Sequence, residues 1–359
     1  MNFRHRRSRV LRAMQAARVP AMLVSNPVNV AYLTGFHSSN GFLLLAPGGC
    51  ALITDFRYET AARALAAQQN MQTFIAKDGI GKAVAAWCRQ CRITKLAFEH
   101  DHLTVARFLE FQKAAPRLTW LHAPPWIMAE RLVKDDDELA CMRTAIAVAE
   151  KGFATIRDHE WIGLTEREAA ELLEDRIKAA ARKLGVHAQP SFPFIVAAGA
   201  NAAIPHHHPG DTVIHEDQML TIDWGARVDN YCSDMTRTLF LGTPDAHFKK
   251  IYSIVLKAQL AAIRAVKPGV TFKQIDAAAR DIITAAGYGK NFGHATGHRI
   301  GMDVHEGMKL AKGNVERART GMVTTIEPGI YIPGWGGVRI EDMVVVTPRG
   351  REVLTSLPK

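Results

Sequence analysis

The fold of this chain is best predicted from two short segments, Leu220-Thr221-Ile222-Asp223-Trp224-Gly225 and Tyr231-Cys232-Ser233-Asp234-Met235-Thr236. Each segment places one aspartate among the apolar and β-branched residues that are typical of strands. Residues 227–230 between them, Arg-Val-Asp-Asn, have turn chemistry, so the two segments predict a β-hairpin. A lone carboxylate is costly to bury. The pair therefore indicates either a shared cation or one capping and one turn aspartate, and the hairpin alone leaves both open.

Further polar residues follow in similar apolar or glycine-rich surroundings. The segment 293–306 carries His294, His298 and His305 among glycines, a pattern that favours a site over a core helix because imidazole binds metals and carries protons. Segments 324–329 and 338–342 add Glu327 and Glu341 in strand-like sequence. Arg339 and Glu341 are two residues apart and so share a strand face, which also allows a simple structural ion pair.

Taken together, four carboxylates and one imidazole indicate a metal site. The carboxylates are Asp223, Asp234, Glu327 and Glu341, whose charge of about −4 matches two divalent cations that share bridging carboxylates. Oxygen-rich ligation with a single nitrogen favours Mn²⁺, Co²⁺ or Fe²⁺ over a thiolate zinc site. Two such ions lower the pKa of a water and polarise a carbonyl, which is hydrolytic chemistry.

Length and composition predict a two-domain globular protein. The chain has 359 residues, of which 48% are hydrophobic and 22% are charged, and this excludes a disordered, collagen-like or disulfide-scaffold protein. The uncharged stretch 19–54 is broken by proline and glycine into short pieces that suit buried strands better than a membrane span. Five scattered cysteines, with a single Cys88-x-x-Cys91 pair, indicate reduced thiols in a cytoplasmic protein.

The net charge of +10 lies entirely in the first third of the chain. Residues 1–127 hold 16 of the 45 basic residues and only 6 of the 35 acidic ones. Six arginines between Arg4 and Arg18 suggest a nucleic-acid or membrane tag, or the solvated face of a first helix. No aromatic residues interleave with these arginines, so we favour the helix face and expect neither nucleic acid nor a membrane as partner.

Alternating short strands and helices organise the chain into two α/β units. Strands are predicted near 21–24, 41–45, 50–54 and 96–98, with helices over 59–69 and 81–90. The charge run 134–138 opens a long helical pattern, and we place the domains at 1–127 and 128–359. Helix pairs are predicted over 136–157 with 163–184 and over 246–266 with 271–286. Because strand-like sequence follows each pair, we predict a duplicated α/β domain around a shared central sheet.

The motifs together resemble the pita-bread metallopeptidases, peptidase family M24, in the branch of aminopeptidase P and prolidase. Five motifs keep the family's order over about 150 residues: residues 194–206, the Asp223–Asp234 hairpin, and segments 294–306, 326–329 and 338–342. Residues 25–36 resemble the creatinase-like N-terminal domain of the same proteins. The resemblance implies an α/β (α+β) fold in which this domain precedes a duplicated pita-bread catalytic domain.

The resemblance also implies roles for individual residues. It implies five metal ligands, with the second and fifth bridging: Asp223, Asp234, His298, Glu327 and Glu341. Glu327 matches the general base. His206 and His305 match histidines that hold the substrate and stabilise the tetrahedral intermediate, and His294 matches a residue lining the pocket beyond the scissile bond. Arg339 matches an arginine that either supports a metal ligand from behind or relays a proton. The implied cofactor is two divalent metals with a bridging hydroxide, Mn²⁺ first and Co²⁺, Fe²⁺ or Zn²⁺ as alternatives. Ala295 and Arg299 replace glycines of relatives and are expected to narrow or charge one side of the cleft.

The implied substrates are Xaa-Pro dipeptides or longer peptides with proline second, and the implied assembly is a homodimer. Methionine aminopeptidases resemble the second domain alone, and a metal-free creatinase-type enzyme would lack the ligand set. An alternative from another class is a pita-bread binding module without catalysis, which would be expected to have lost ligand positions. All five positions are intact, so we favour the enzyme. The choice between dipeptidase and aminopeptidase stays open.

Overall fold

The computed structural model describes all residues 1–359 and divides them into two compact units, Met1–Arg131 and Leu132–Lys359. The boundary that we predicted after residue 127 lies inside a short helix, Trp126–Arg131, that ends the first unit. None of the helices combines the length and the apolar character that crossing a bilayer would require.

The first unit is an α/β domain built on one six-stranded sheet. Its strands are β1 (Met22–Val24), β2 (Gly41–Ala46), β3 (Gly49–Thr54), β4 (Gln72–Ile75), β5 (Lys95–Phe98) and β6 (Thr119–His122), in the order β4-β3-β2-β1-β5-β6. Its helices are α1 (Phe3–Ala16), α2 (Pro27–Thr34), α3 (Glu59–Gln68), α4 (Ile80–Gln90), α5 (Val105–Ala114) and α6 (Trp126–Arg131). The strands and helices predicted for this third of the chain are confirmed. Val10 and Met14 of α1 are buried, whereas Leu11 and Val19 are only half-buried.

Two arginines of α1 correct our expectation of a solvated basic face. Arg6 and Arg7 are only 3% and 4% exposed. Arg7 donates to the carbonyl of Leu33 at 2.8 Å and to Gln69 Oε1 at 2.6 Å, while Arg6 donates to the carbonyl of Tyr32 and stacks on its ring at 4.2 Å. These carbonyls belong to the last turn of α2, where a helix leaves them without internal partners. Part of the N-terminal charge is therefore structural.

The second unit contains five helices and thirteen strands. The helices are α7 (Asp136–Phe153), α8 (Asp158–Trp161), α9 (Glu166–Lys183), α10 (Ala246–Ala265) and α11 (Phe272–Ala285). The strands are β7 (Gln189–Pro190), β8 (Ile195–Ala198), β9 (Gln218–Trp224), β10 (Ala226–Val228), β11 (Tyr231–Cys232), β12 (Met235–Leu241), β13 (Gly297–Arg299), β14 (Glu306–Leu310), β15 (Val323–Ile326), β16 (Gly329–Ile332), β17 (Gly336–Arg339), β18 (Asp342–Thr347) and β19 (Gly350–Val353).

The predicted duplication of this unit is confirmed by matching hydrogen bonds in its two halves. Capping boxes begin both α9 and α11, with Thr165 and Thr271 as the N-caps. Backbone N–H groups around each N-cap donate to carbonyls of a returning segment in the same way in both halves. In the first half, Gly163 donates to Ile214 at 2.8 Å and Glu166 donates to Thr212 at 3.0 Å. In the second half, Gly269 donates to Ala318 at 2.8 Å and Phe272 donates to Glu316 at 3.0 Å.

The strands of the two halves form separate ladders that backbone hydrogen bonds join. One ladder has the order β12-β9-β8 and the other β14-β13-β15-β18-β19, while β16 and β17 form a hairpin. The backbone N–H of Glu341 donates to the carbonyl of Thr236 at 3.1 Å and joins the two ladders. We expected one shared sheet; the chain instead leaves regular strand geometry at Ile340 and Glu341, between β17 and β18.

The hairpin predicted from residues 220–236 is present, with its tip folded aside. Strands β9 and β12 pair so that Asp223 faces Thr236, and Asp229 and Asn230 form the turn with positive φ at both residues. The tip, β10 and β11, pairs with β7 in a different sheet. Asp234 therefore lies at the bend that precedes β12, beside the end of β9.

Gly225 makes this bend possible, and replacing it tests the packing. A Cβ at Gly225 would collide with the carbonyl oxygen of Ser233, whereas a Cβ at Gly313 would meet nothing within 4 Å. We expect Gly225→Ala to lower the free energy of unfolding by about 1–3 kcal/mol, as other overpacked sites do. Gly313→Ala should change it by less than about 0.5 kcal/mol. Urea denaturation of both variants measures this, and equal stabilities would contradict the packing described.

Candidate metal centre

Nine residues predicted for the site line one cavity of the second unit. The five acidic and imidazole side chains come from separate strands or strand ends: Asp223 from β9, Asp234 from the bend before β12, His298 from β13, Glu327 from just after β15 and Glu341 from between β17 and β18. The other four that line the same cavity are His206, His294, His305 and Arg339. The fold thus brings together residues that are up to 135 positions apart in the sequence.

Three of these side chains converge closely enough to share an ion. One ligand atom each of Asp234, His298 and Glu341 lies within 4.8 Å of the others. The Nε2 atom of His298 is 3.3 Å from Asp234 Oδ2 and 3.5 Å from Glu327 Oε1. Asp234, His298 and Glu341 are buried, so their polar atoms face one another rather than solvent.

Three buried carboxylate oxygens in this group have no hydrogen-bond partner: Asp223 Oδ1, Asp234 Oδ1 and Glu341 Oε1. Buried polar atoms almost always find a partner, so three orphans in one cluster require an explanation. Burial raises the pKa of all three carboxyl groups, and the neighbouring Asp223 raises that of Asp234 further. Divalent cations would satisfy the orphaned oxygens and offset the repulsion. The residues present therefore fit a metal centre with oxygen-rich ligation.

Hydrogen bonds from outside the cluster orient its carboxylates. Thr236 Oγ1 donates to Glu341 Oε2 at 2.7 Å. Arg339 Nη2 donates to Asp223 Oδ2 at 2.8 Å, and its Nε donates to Thr236 Oγ1 at 3.0 Å. Arg339 thus pairs with Asp223 rather than forming the simple ion pair with Glu341 that the sequence also allowed.

The imidazole of His298 is oriented by its neighbours as a metal ligand would be. Its Nδ1 is 3.2 Å from the carbonyl oxygen of Arg299, so a proton on Nδ1 leaves the lone pair of Nε2 facing the carboxylates. Its backbone N–H donates to Thr325 Oγ1 at 3.0 Å, and that hydroxyl donates to Glu327 Oε1 at 3.3 Å.

The remaining histidines surround the cluster in different states. His206 and His305 line the cavity wall, and partial desolvation there, followed by the neighbouring His298, lowers the pKa of His305 to about 4. His305 is therefore uncharged at neutral pH. Glu306, beside it, is held by a buried ion pair with Lys134 at 2.8 Å.

His294 is fixed through both ring nitrogens. Nδ1 is 2.7 Å from the carbonyl oxygen of Ala295, and Nε2 is 2.8 Å from the hydroxyl of Tyr331. Tyr331 also accepts from Arg339 Nη1 at 3.1 Å and lines the cavity, but we did not predict it. The available signal was Gly337, which faces Tyr331 across the β16–β17 pair and leaves room for its ring. Thr236 was missed because a threonine in a strand is unremarkable by sequence.

The expected effect of Arg299 on the cleft is wrong. Its side chain is about 1% exposed, forms an ion pair with Glu316 at 2.7 Å and lies 5.3 Å from the ring of Phe272. Neighbouring residues of a strand point to opposite faces, so Arg299 points away from the cavity that His298 faces. Ala295 does line the cavity.

Of the two histidines after His206, His207 has a defined partner. His207 and His208 both line the cavity with His206. The Nε2 atom of His207 is 2.7 Å from Glu166 Oε2, a carboxylate at the start of α9.

Comparison with known families agrees with this geometry. Residues 140–348 match the model of metallopeptidase family M24. The chain belongs to metallopeptidase family M24. Residues 6–133 match the creatinase/prolidase N-terminal domain, as residues 25–36 indicated. Family M24 enzymes are metal-dependent hydrolases, and the Asp234–His298–Glu341 group is where this M24 chain can hold metal.

Relatives of the M24 chain extend over its whole length. An uncharacterized peptidase, YqhT, from Bacillus subtilis is 35% identical over 341 residues, 95% of each chain. The solved structure of an Xaa-Pro dipeptidase from Bacillus anthracis is similar with a TM-score of 0.94 and 36% identity, over 100% of this chain and 99% of that one. An X-Pro aminopeptidase from Thermotoga maritima is similar with a TM-score of 0.89 and 32% identity, over 98% of each chain.

Proposed function

We propose that the chain hydrolyses the peptide bond between an N-terminal residue and a following proline. The observation that carries this proposal is the buried group of carboxylates with three orphaned oxygens, in a cavity that histidines surround. Support for the substrate class comes from two similar structures, those of an Xaa-Pro dipeptidase and an X-Pro aminopeptidase.

We assign two divalent cations to this cluster: Asp223, Asp234, His298, Glu327 and Glu341 would hold them, and Asp234 and Glu341 would be the carboxylates that serve both. Four carboxylates with one imidazole favour Mn²⁺ as the physiological ion, with Co²⁺, Fe²⁺ and Zn²⁺ as competitors. When bound, the cations polarise the scissile carbonyl and lower the pKa of a water.

In this proposal Glu327 moves the proton of the reaction. Its side chain is 18% exposed, against 5% for Asp234, and so it reaches the substrate side of the cluster. Glu327 accepts a proton from the attacking water and passes it to the proline nitrogen as the C–N bond breaks. His206 and His305 donate to the carbonyl oxygen as it gains charge, and His305 does so as a neutral imidazole. Arg339 donates to Asp223 and to Tyr331 and holds both at the edge of the site.

The proposed preference for proline follows from what that bond lacks. An Xaa-Pro bond has no amide N–H, so the site must recognise the shape of the ring and the free amine instead. Because both nitrogens of His294 are engaged by Ala295 and Tyr331, its ring offers shape rather than hydrogen bonds. We assign His294 to the pocket for the residue after the scissile bond.

Hydrolysis of matched peptides tests the proposal. We expect the Mn²⁺-loaded chain to cleave Ala-Pro at least about 100-fold better than Ala-Ala, a ratio within reach of a shape-selective pocket. Comparison of Ala-Pro with Ala-Pro-Ala then separates a dipeptidase from an aminopeptidase. If no peptide with proline second is cleaved, the proposed substrate class is wrong, and if Ala-Ala is not cleaved either, the binding module of the same fold is favoured.

Metal binding is expected to stabilise the protein. An ion that binds only the folded state at a hundred times its dissociation constant adds about 2.7 kcal/mol. For a folded unit of the size of Leu132–Lys359, this stabilisation corresponds to a rise in Tm of roughly 5–10 °C. Differential scanning fluorimetry of the chelator-treated chain with and without Mn²⁺ measures the shift. The Asp234→Ala variant serves as the control, and an equal shift in that variant would place the ion elsewhere.

We further propose that the enzyme works as a homodimer in the cytoplasm. All five cysteines are free thiols, which supports a reducing compartment. Light scattering at micromolar concentration tests the dimer, since a monomer has a mass of 39.6 kDa.

A further inference from the structure

Glu166, the first residue of α9, is a buried carboxylate that collects four hydrogen bonds. It is 0% exposed. Its Oε1 accepts from the backbone N–H of Ala198 at 2.8 Å and from Asn201 Nδ2 at 2.9 Å. Its Oε2 accepts from the backbone N–H of Gly210 at 3.1 Å and lies 2.7 Å from His207 Nε2. All four partners lie in one segment, residues 198–210.

This segment carries His206 and has two other hydrogen-bonded anchors: the carbonyl of Gly210 accepts from the backbone N–H of Arg167 at 3.1 Å, and Asn201 Nδ2 also donates to Thr212 Oγ1 at 3.1 Å. It contains only a short 3-10 turn, Gly199–Ala203, after the end of β8. The exposed ring of His206 forms no hydrogen bond within the chain, so its position follows from the backbone that bears it. The one further tie to the site is the carbonyl of Pro205, which accepts from Arg339 Nη1 at 3.3 Å.

The start of α9 does not itself need a carboxylate at position 166. The helix is capped by Thr165 together with Glu168, and the equivalent helix of the second half has Phe272 at the corresponding place. Burying an ionised carboxylate is costly unless donors compensate it. Because the donors all belong to the segment 198–210, the role of Glu166 lies in that segment rather than in the helix.

We propose that Glu166 is a positioning residue that holds the segment 198–210 so that His206 faces the reacting carbonyl. The inference rests on the proposed function, because His206 matters only if the cavity binds a peptide. Glu166 does not line the cavity and acts through the backbone on either side of His206.

The test is a conservative substitution with a matched control on the same helix turn. Glu166→Gln keeps the shape of the side chain but turns an amide NH₂ toward two donors, so we expect kcat/KM for Ala-Pro to fall about 10- to 50-fold. The Mn²⁺ stoichiometry should stay that of the wild type. Glu168→Gln, which retains the capping box and touches no part of the segment, should stay within about twofold. Wild-type kcat/KM in Glu166→Gln would overturn the proposal.

A double-mutant cycle separates positioning from general damage. In a His206→Ala background, Glu166→Gln should cost less than about twofold, because the residue that it positions is gone. An undiminished 10- to 50-fold loss in that background would overturn the proposal. If Glu166→Gln does not fold, Asn201→Ala removes one of the four contacts and should cost about three- to tenfold, with the same loss of effect in the His206→Ala background.

Backbone amide exchange distinguishes this inference from the proposed function. Glu166→Gln should speed exchange selectively over residues 198–210, whether or not Ala-Pro is cleaved. An inactive wild-type chain with that selective change refutes the proposed function, whereas unchanged exchange refutes the role of Glu166.

Discussion

Asp234→Ala is expected to abolish Ala-Pro hydrolysis, with kcat/KM at least about 1,000-fold below the wild type. Asp234 has a ligand atom within 4.8 Å of those of His298 and Glu341, and its Oδ1 is one of the three orphaned oxygens. Removing it takes away a proposed bridging ligand, and loss of a metal ligand removes both the affinity and the polarising charge on which the chemistry depends. Steady-state kinetics with saturating Mn²⁺, together with metal analysis after dialysis, measure both effects.

The matched control for this variant is Asp281→Ala, an exposed aspartate on α11 that does not line the cavity. It should keep wild-type kinetics and metal content. Activity that survives in Asp234→Ala would refute the assignment of two metals to this cluster. Metal well below one ion per chain in the wild type would argue against it independently.

Glu327→Gln is expected to lower kcat by roughly 100- to 10,000-fold, the range for loss of a general acid–base group. Glutamine preserves the shape and one oxygen ligand but cannot accept the proton from water. The variant should therefore bind Mn²⁺ more tightly than Asp234→Ala does and keep a KM for Ala-Pro within a few-fold of the wild type. Single-turnover kinetics, in which product release does not limit the rate, show whether the loss of kcat lies in the chemical step.

Glu352→Gln on β19 is the control for this change, because its side chain is about half exposed and pairs only with Arg143. A Glu327→Gln enzyme with normal kcat would rule out Glu327 as the base. A variant without any bound metal would instead make Glu327 essential as a ligand and leave the base unassigned.

The chemistry of the site was more predictable from the sequence than its framework. Carboxylates such as Asp223 are conspicuous in an apolar strand because their burial is costly, so each one signals a compensating partner. Arg299 was misjudged because its neighbour His298 faces the cavity, and strand alternation sends Arg299 to the other face. The side on which a strand residue lies depends on pairing with distant strands, which a local pattern does not reveal.

The supporting residues were the least predictable. These residues act through hydrogen bonds to distant parts of the sequence. Tyr331 bonds to a residue 8 positions away, Thr236 bonds to one 105 positions away, and the partners of Glu166 are at least 32 positions away. Nothing in their immediate sequence separates them from ordinary strand or helix residues. The basic first helix shows the same limit. Counting charges predicts that its arginines face solvent, whereas Arg6 and Arg7 donate to carbonyls at the end of α2.

The most direct test of a metal-dependent Xaa-Pro peptidase is a titration of the metal-free chain with Mn²⁺ during Ala-Pro hydrolysis. We expect no proline release without metal, activity that rises with added Mn²⁺, and saturation at two ions per chain. Proline release by the metal-free chain, or none at any Mn²⁺ concentration, would contradict the function proposed for the Asp223–Asp234–His298–Glu327–Glu341 cluster.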